Sequence, residues 1–137
     1  MTDLAGKLNA LITPMLPGLL GMTVVEATPE RVVGTMLVRA DMCTAGGILH
    51  GGAYMAFADT LGALSTVINM PTGANTATIE SKTNFIGGAK VGSTVIGTTR
   101  AFHKGKTTHV WQTEITGEDG KLLAVVSQTQ IIMPPKS

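Results

Sequence analysis

The sequence is poor in charged residues and contains a single cysteine. Of its 137 residues, 14% are charged, against about 25% in a typical domain. A domain of this size then has too little charge to cover its own surface, so we expect part of that surface to be buried against other copies of the chain. Cys43 has no partner for an internal disulfide, which favours a reducing compartment. We therefore expect a cytoplasmic protein.

Several classes of function lack the residues they require. A net charge of +1, with one Trp, one Tyr and three Phe, argues against a nucleic-acid-binding surface. Gly, His, Asp or Asn interrupt every apolar stretch before about 18 residues, and residues 1–16 lack the features of a signal peptide, so no membrane association is expected. Three histidines and one cysteine at unrelated spacings predict no metal site. The glycine clusters match neither a dinucleotide nor a P-loop motif, and no cofactor is expected.

The hydrophobic pattern predicts one α+β domain over residues 1–137. Leucines at helical spacing predict a short amphipathic helix that ends near Pro14 and Pro17, and residues 51–70 predict one long buried helix. Residues 40–49 have no period and predict a loop. Segments rich in Val, Thr and Ile predict six strands: 22–27, 31–39, 76–86, 93–103, 107–116 and 122–133. We expect the last four strands to form a meander, in an antiparallel sheet of five or six strands wrapped around the long helix.

The long helix carries a carboxylate near its middle. Asp59 is the only charged residue between Ala53 and Met70. Burying an ionised carboxylate costs several kcal/mol unless hydrogen bonds or a polar cleft compensate. Asp59 therefore either accepts hydrogen bonds that fix the packing, or lies in a cleft as a general base or nucleophile.

The residues His50, Gly51 and Gly52 stand where this helix begins. Its first N–H groups have no partner within the helix, and the glycines let a ligand come close to them, so this end suits a developing oxyanion. The alternatives are a tight entry into the helix for the glycines and a loop histidine bonded to backbone for His50. Gly51 and Asp59 are about 12 Å apart along the helix axis, too far to act on one carbonyl. If both serve one reaction, the helix packs antiparallel beside its copy in a homodimer with two shared sites.

The segment GGILHGGAYMAFADTLGA, residues 46–63, resembles the signature of hotdog-fold acyl-CoA thioesterases. Residues 76–93 and 102–124 are similar to the third strand and following hairpin of the phenylacetate-pathway and 4-hydroxybenzoyl-CoA thioesterase branch. The resemblance implies a hotdog fold and hydrolysis of an acyl-CoA thioester, with coenzyme A entering as part of the substrate. It also implies that the Gly51 N–H polarises the thioester carbonyl, while Asp59 of the other subunit attacks it or activates water.

The same resemblance assigns further roles and shows two departures. It implies that Thr78 positions the water or the acid and that His50 shapes the oxyanion loop. Six residues before the histidine, where the family often has Asn or Gln, stands Thr44, whose shorter reach predicts lower activity or a different substrate. One helical turn after the acid, where some members have Ser or Thr, stands Ala63, which favours the subgroup with Asp.

The acyl and nucleotide ends of the substrate also have candidate residues. Aromatic acyl groups are favoured, and the large side chains Tyr54, Met55 and Phe57 either line the acyl pocket or belong to the core. The phosphates of coenzyme A need donors, and Gly52 belongs to the anion site at the helix start. The segment 103–109, HKGKTTH, predicts a turn whose ammonium and hydroxyl groups suit phosphate. The alternative interpretation of this segment is an ordinary solvated turn. The further phosphate-binding candidates are Lys104, Lys106, Thr107, Thr108 and, with less support, Lys90.

Other functions remain open at this level. Hydratase or dehydratase chemistry occurs on the same fold, and a non-catalytic acyl-CoA-binding module is a second alternative, for which Thr44 is the hint. Cys43 with His50 suggests a thiol nucleophile, but Cys43 has no electropositive surroundings in the sequence that would activate it. A homodimer is expected, with a dimer of dimers as the natural extension.

Overall fold

The computed structural model describes residues 3–136. Within them the chain forms helices and strands in the order expected from the sequence, with a short second helix added. The helices are α1 Asp3–Ile12, α2 Leu16–Leu19 and α3 Gly51–Val67. The strands are β1 Met22–Ala27, β2 Arg31–Leu37, β3 Asn75–Phe85, β4 Thr94–Lys104, β5 Thr108–Gly117 and β6 Leu122–Met133.

The six strands form one antiparallel sheet in the order β1-β2-β4-β5-β6-β3. Helix α3 lies across one face of the sheet and contacts the five strands from β2 to β3. The predicted architecture, a sheet wrapped around one long helix and preceded by a short N-terminal helix, is confirmed. Across residues 3–136, every helix is too short or too polar to cross a bilayer.

The predicted meander of the last four strands is wrong for β3. Strands β4, β5 and β6 follow one another, but β3 pairs with β6 at the edge and β2 pairs with β4. The reason is the path of α3, which leaves the β2 side of the sheet and carries the chain across the other strands. Strand β3 therefore begins at the far edge, where β6 is its neighbour.

Helix α3 is shorter at its C-terminal end than predicted, because it ends at Val67 instead of Met70. The side-chain amide of Asn69 donates to the carbonyl of Ser65 at 2.8 Å and so occupies an acceptor at the end of the helix. Pro71 also disfavours helical backbone in the residue before it. The chain therefore turns at residues 68–70 towards β3.

The N-terminal helix covers the β1 edge of the sheet. Its residues Ala5, Leu8 and Ile12 are buried. The side chain of Asn9 accepts the backbone N–H of Val24 at 2.7 Å and donates to its carbonyl at 2.8 Å. An amide side chain therefore takes the place that a neighbouring strand would have beside β1.

Helix α3 approaches the sheet closely over β2 and β4. Gly34 and Gly97 are paired across these strands. A Cβ atom at either position would press on Leu61, and both would also touch the ring of Phe57. The two glycines leave room for the large side chains of α3, which are completely or almost completely buried. The centre of the core therefore lies under α3.

Candidate active site

The start of α3 presents one open backbone donor. His50 is the N-cap residue, and its Nδ1 accepts the N–H of Gly52 at 2.8 Å. The N–H groups of Ala53 and Tyr54 bond to the His50 carbonyl. Among residues 3–136, the Gly51 N–H donates no hydrogen bond. The donor available to a ligand is therefore that of Gly51, whereas Gly52 is already bonded.

Gly51 and Thr44 line the same cleft, whose volume is about 410 Å³. The ring of Phe85 lies over the helix start, and a Cβ atom at position 51 would come within 3.0 Å of it. A larger residue at position 51 would therefore require the Phe85 ring to shift. Thr44 is exposed, and its hydroxyl lies 3.4 Å from the carbonyl of Ile48.

Asp59 lies half-buried on the flank of α3 that faces β3. Its Oδ1 accepts a hydrogen bond from the Thr78 hydroxyl at 2.6 Å, and the Gln128 amide nitrogen lies 3.3 Å from the same oxygen. Asp59 and Thr78 line a cleft of about 250 Å³ together with Met55 and Ser81. The carboxylate is thus held by hydrogen bonds and still reachable from a cleft.

A β-bulge in β3 determines which side chains face Asp59. Thr78 and Glu80 pair with neighbouring residues of β6, so Ile79 is an extra residue between them. Before the bulge Thr76 and Thr78 turn towards α3, and after it Ser81 does so. Bulges are common beside active sites because they re-aim side chains. The inner side of β3 is consequently lined by hydroxyl groups.

A second, apolar groove reaches Asp59 from the side of α1. Its volume is about 220 Å³, and Leu11 and Met15 form one wall while Ala63 and Val67 form the other. The small side chain of Ala63 leaves this space open. Asp59 therefore stands between a polar cleft towards β3 and an apolar groove towards α1.

The large side chains of α3 differ in their burial, although Tyr54 also lines the cleft at Gly51. Tyr54 is 2% exposed and Phe57 is 0% exposed, and both pack in the hydrophobic core. The Tyr54 hydroxyl donates to the Gly87 carbonyl at 3.0 Å, and burial raises the pKa of this phenol. Met55 differs, since it is 37% exposed and lines the Asp59 cleft.

The basic residues named from the sequence separate into two places. Lys104 and Thr108 flank the turn between β4 and β5, with Lys106 and Thr107 inside it, and the Lys104 ammonium lies 3.4 Å from the carbonyl of Pro29. Lys90, in contrast, lines a cleft with the carboxylates of Glu118 and Asp119. Lys121 lines the same cleft, so two ammonium groups face two carboxylates there, and Lys90 stays a weaker candidate for binding a phosphate.

The β4–β5 turn lies beyond the C-terminal end of α3. His109, just after the turn, places Nδ1 3.0 Å from the Thr66 hydroxyl near the helix end, and the Trp111 indole donates to the same hydroxyl at 2.8 Å. Burial lowers the pKa of His109, and the positive charges of Lys104 and His103 lower it further. The turn and the Gly51 donor are therefore at opposite ends of α3 within one chain.

Two functional candidates are missed by the sequence reasoning. Gln128 and Gln130 are each 1% exposed and lie on the side of β6 that faces α3. The period of two in a strand predicts this, since both share the parity of Ala124 and Val126, which are buried. The signal was present in the sequence as two consecutive inward amides.

Comparisons with known proteins identify the family of the chain. The family described as Thioesterase superfamily matches residues 46–124. An assumed esterase of Pseudomonas aeruginosa is 30% identical over 129 residues, which cover 93% of this chain and 88% of that protein. The 1,4-dihydroxy-2-naphthoyl-CoA hydrolase of Escherichia coli is 27% identical, and the match covers 92% of each chain.

A solved structure extends the agreement to three dimensions. The crystal structure of a mutant thioesterase from Pseudomonas aeruginosa matches 98% of this chain and 96% of that chain, with a TM-score of 0.91 and 29% identity. The resemblance found in residues 46–63 is thus supported at the level of the superfamily. With its sheet wrapped around α3, this hotdog-fold chain belongs to the thioesterase superfamily.

Proposed function

We propose that this protein hydrolyses an acyl-CoA thioester to the free acid and coenzyme A. Asp59 acts as the general base or nucleophile, and the Gly51 N–H of the partner subunit polarises the carbonyl. The observation that carries the proposal is the Asp59 carboxylate in an open cleft, with Oδ1 held by the Thr78 hydroxyl at 2.6 Å. The superfamily membership and the naming of relatives as thioesterases support the same reaction.

The chemistry follows from these groups. As a base, Asp59 takes a proton from a water whose oxygen attacks the thioester carbonyl carbon. The carbonyl oxygen gains negative charge, which the Gly51 N–H and the positive end of α3 stabilise. The C–S bond then breaks and the coenzyme A thiolate takes up the proton. As a nucleophile, Asp59 would instead attack the carbonyl carbon and expel the coenzyme A thiolate, which leaves a mixed anhydride that water hydrolyses to the free acid and the Asp59 carboxylate.

The site needs two copies of the chain. Within one chain Gly51 and Asp59 line different clefts and lie about 12 Å apart along α3. Strand β3 is an edge strand, and Ile79, Phe85 and Ile86 beside this edge are each more than half exposed. Two-fold pairing through β3 sets the α3 helices antiparallel and brings the start of one to the middle of the other. We propose this homodimer as the active unit, with a dimer of dimers as an extension.

The substrate follows from what lies on each side of Asp59. The apolar groove between α1 and α3 is proposed to take the acyl group, aromatic or of medium chain length. The name of the Escherichia coli relative, which contains a naphthoyl group, supports an aromatic acyl group and fits the phenylacetate and hydroxybenzoyl branch. Lys104 and Lys106, with the hydroxyls of Thr107 and Thr108, are proposed to bind the phosphates of coenzyme A.

Thiol release from a panel of acyl-CoA thioesters tests the proposal. The panel contains phenylacetyl, 4-hydroxybenzoyl, dihydroxynaphthoyl, short-chain and medium-chain acyl groups, with a thiol-reactive chromophore as the readout. Asp59→Asn is expected to lower turnover by about 10²-fold or more with folding unchanged. The matched control Asp119→Asn, in an exposed turn, is expected to keep wild-type turnover.

Three other results would contradict the proposal. Wild-type turnover in Asp59→Asn would remove the acid from the reaction. Binding of acyl-CoA without thiol release from any member of the panel would favour a non-catalytic binding module. Hydration of crotonyl-CoA without thioester cleavage would favour a hydratase on the same fold.

A further inference from the structure

Two glutamines on β6 are buried where a hydrophobic core would ordinarily have apolar side chains. Gln128 and Gln130 are each 1% exposed, whereas Val126 and Ile132 occupy the neighbouring inward positions of the same strand. Burying an amide is unfavourable unless its polar atoms are hydrogen-bonded. We therefore expect hydrogen-bonding partners that compensate for burying these two amides.

Their contacts lead to one oxygen of Asp59, directly for Gln128 and through Thr78 for Gln130. The amide nitrogen of Gln128 lies 3.3 Å from Asp59 Oδ1 and 3.0 Å from Gln130 Oε1. The amide nitrogen of Gln130 donates to the Thr76 hydroxyl at 3.0 Å. Among residues 3–136, no hydrogen bond reaches the other oxygen, Asp59 Oδ2. One carboxylate oxygen is anchored and the second is left for the cleft.

The number of protons explains why Gln128 matters. The Thr78 hydroxyl has one proton but lies 2.6 Å from Asp59 Oδ1 and 2.5 Å from Gln130 Oε1. That one proton is shared between the two acceptors, and the N–H of Gln128, 3.0 Å from Gln130 Oε1, gives this oxygen a second donor, so the Thr78 proton is drawn towards the carboxylate, where a charge-assisted bond is stronger. The acceptor of Gln128 has no partner among the described residues. The contacts of the Gln128 amide are therefore made by its nitrogen, as a hydrogen-bond donor, and not by its oxygen.

Helix α3 provides a recess for the Gln128 amide. Gly62 lies three residues after Asp59, and a Cβ atom at this position would overlap the carboxamide of Gln128. A glycine in the interior of a helix lowers the stability of that helix, so we expect a contact at Gly62 that offsets this cost. The contact here is the approach of Gln128 to the backbone carbonyl and the carboxylate of Asp59, at 3.4 Å and 3.3 Å.

We infer that Gln128 and Gln130 are positioning residues for the reaction, which anchor Oδ1 of Asp59 directly and through Thr78, and that Gly62 is a glycine because it admits Gln128. The inference rests on the proposed thioester hydrolysis. The amides touch no reacting atom and act through Asp59. Losing them misdirects Oδ2, so the chemical step slows while substrate binding is unchanged.

Steady-state kinetics of two variants test the inference. Gln128→Met keeps the length of the side chain and removes its N–H donor, and Gly62→Ala displaces the amide. Each is expected to lower kcat about tenfold or more with KM within about twofold of wild type. The matched control Gly97→Ala also presses on buried side chains, those of Leu61 and Phe57, and is expected to lose stability but keep kcat.

A double variant separates a role through Asp59 from a general loss of structure. If Gln128 acts through the acid, Gln128→Met adds no further loss to the residual activity of Asp59→Asn. Additive losses, or a kcat for Gln128→Met and Gly62→Ala equal to wild type, would overturn the inference while leaving thioester hydrolysis intact. An inactive wild-type protein would instead overturn the proposed function.

A readout without activity keeps the inference testable in every case. The side-chain amide protons of Gln128 and Gln130 are recorded by NMR in the wild-type protein and in Asp59→Asn. The Gln128 signal is expected to shift and to exchange faster with solvent when the charged acceptor is removed. Unchanged shift and exchange of the Gln128 amide would overturn the inference, whether or not the other variants fold.

Discussion

The two edge strands of the sheet, β1 and β3, differ in the polarity of the side chains that they direct inwards. At the β1 edge the inward residues Met22 and Val24 are buried and apolar, and α1 covers them. At the β3 edge the inward side chains are hydroxyls, such as Thr78, and residue exposure alternates between half-buried and exposed. The buried glutamines of β6 and the carboxylate of Asp59 lie on the β3 side.

The difference shows which edge is closed within the chain. The Asn9 side chain is hydrogen-bonded to the N–H and the carbonyl of Val24, so these backbone groups of β1 are not free to pair with a further strand. Strand β3 has 11 residues, no covering helix at its outer side among residues 3–136, and the exposed apolar side chain of Ile79. An uncovered edge next to a polar interior is the arrangement that a second copy would complete.

The largest expected effect comes from a charge on the β3 edge. Ile79 is 59% exposed, and Ile79→Lys is expected to prevent pairing of two β3 strands. The proposed dimer should dissociate at micromolar concentration in light scattering, and thioester turnover should fall by about 10²-fold because the proposed Gly51 donor of the partner subunit is lost.

The matching change on the other edge is Val25→Lys, at a residue of β1 that is 38% exposed. It is expected to leave the dimer and the turnover unchanged. A stable, active dimer in Ile79→Lys, or loss of the dimer in Val25→Lys, would reverse the assignment of the two edges.

A smaller effect is expected from uncovering β1. Asn9→Ala removes two hydrogen bonds to the backbone of Val24 and should lower the free energy of unfolding by about 2 kcal/mol in urea titrations. Turnover per folded protein should not change. Asn84→Ala, at an exposed position of β3, is the control and should leave stability within about 0.5 kcal/mol of wild type. Equal stability of the two variants would mean that Asn9 does not secure the edge.

The smallest expected effect is a pH dependence of the free energy of unfolding, which comes from His109 on β5. Because burial lowers the pKa of His109 in the folded state, the unfolded chain binds a proton at about pH 6.5 that the folded protein does not. The free energy of unfolding should fall as the pH drops from about 6.5 towards the pKa of His109 in the folded state. Above about pH 6.5 the contribution of this group should be constant. His109→Gln should flatten that slope, while His103→Gln, at an exposed position, should keep most of it. A slope unaffected by His109→Gln would assign it to other groups.

Local patterns in the sequence identified most of the elements and the acid of the site. The run of small and apolar residues from Ala53 to Met70 predicts a buried helix, and a single carboxylate within it stands out for its cost. The structure brings Asp59 and Thr78 together, as the resemblance implied for these two positions. Their catalytic roles, with those of Gly51 and Thr44, stay predictions.

What was not predicted depends on contacts between distant parts of the chain. The composition of β3 does not encode its neighbour, so its pairing with β6 instead of β4 follows only once α3 crosses the sheet. A histidine bonded to backbone was one of the two alternatives for His50 and is confirmed, but which N–H it binds, that of Gly52, depends on a side-chain orientation that no spacing reveals. The link from Gln128 to Asp59 joins residues 69 positions apart and requires the recess at Gly62.

The extra residue in β3 also sorts charges. With regular alternation Glu80 and Lys82 would follow Thr76 and Thr78 onto the side of Asp59, but the bulge at Ile79 sends both to the exposed side. The acid consequently shares its cleft with neutral side chains and meets neither a competing anion nor a neutralising cation from this strand. One inserted residue thus decides the electrostatic surroundings of the carboxylate without altering the composition of the strand.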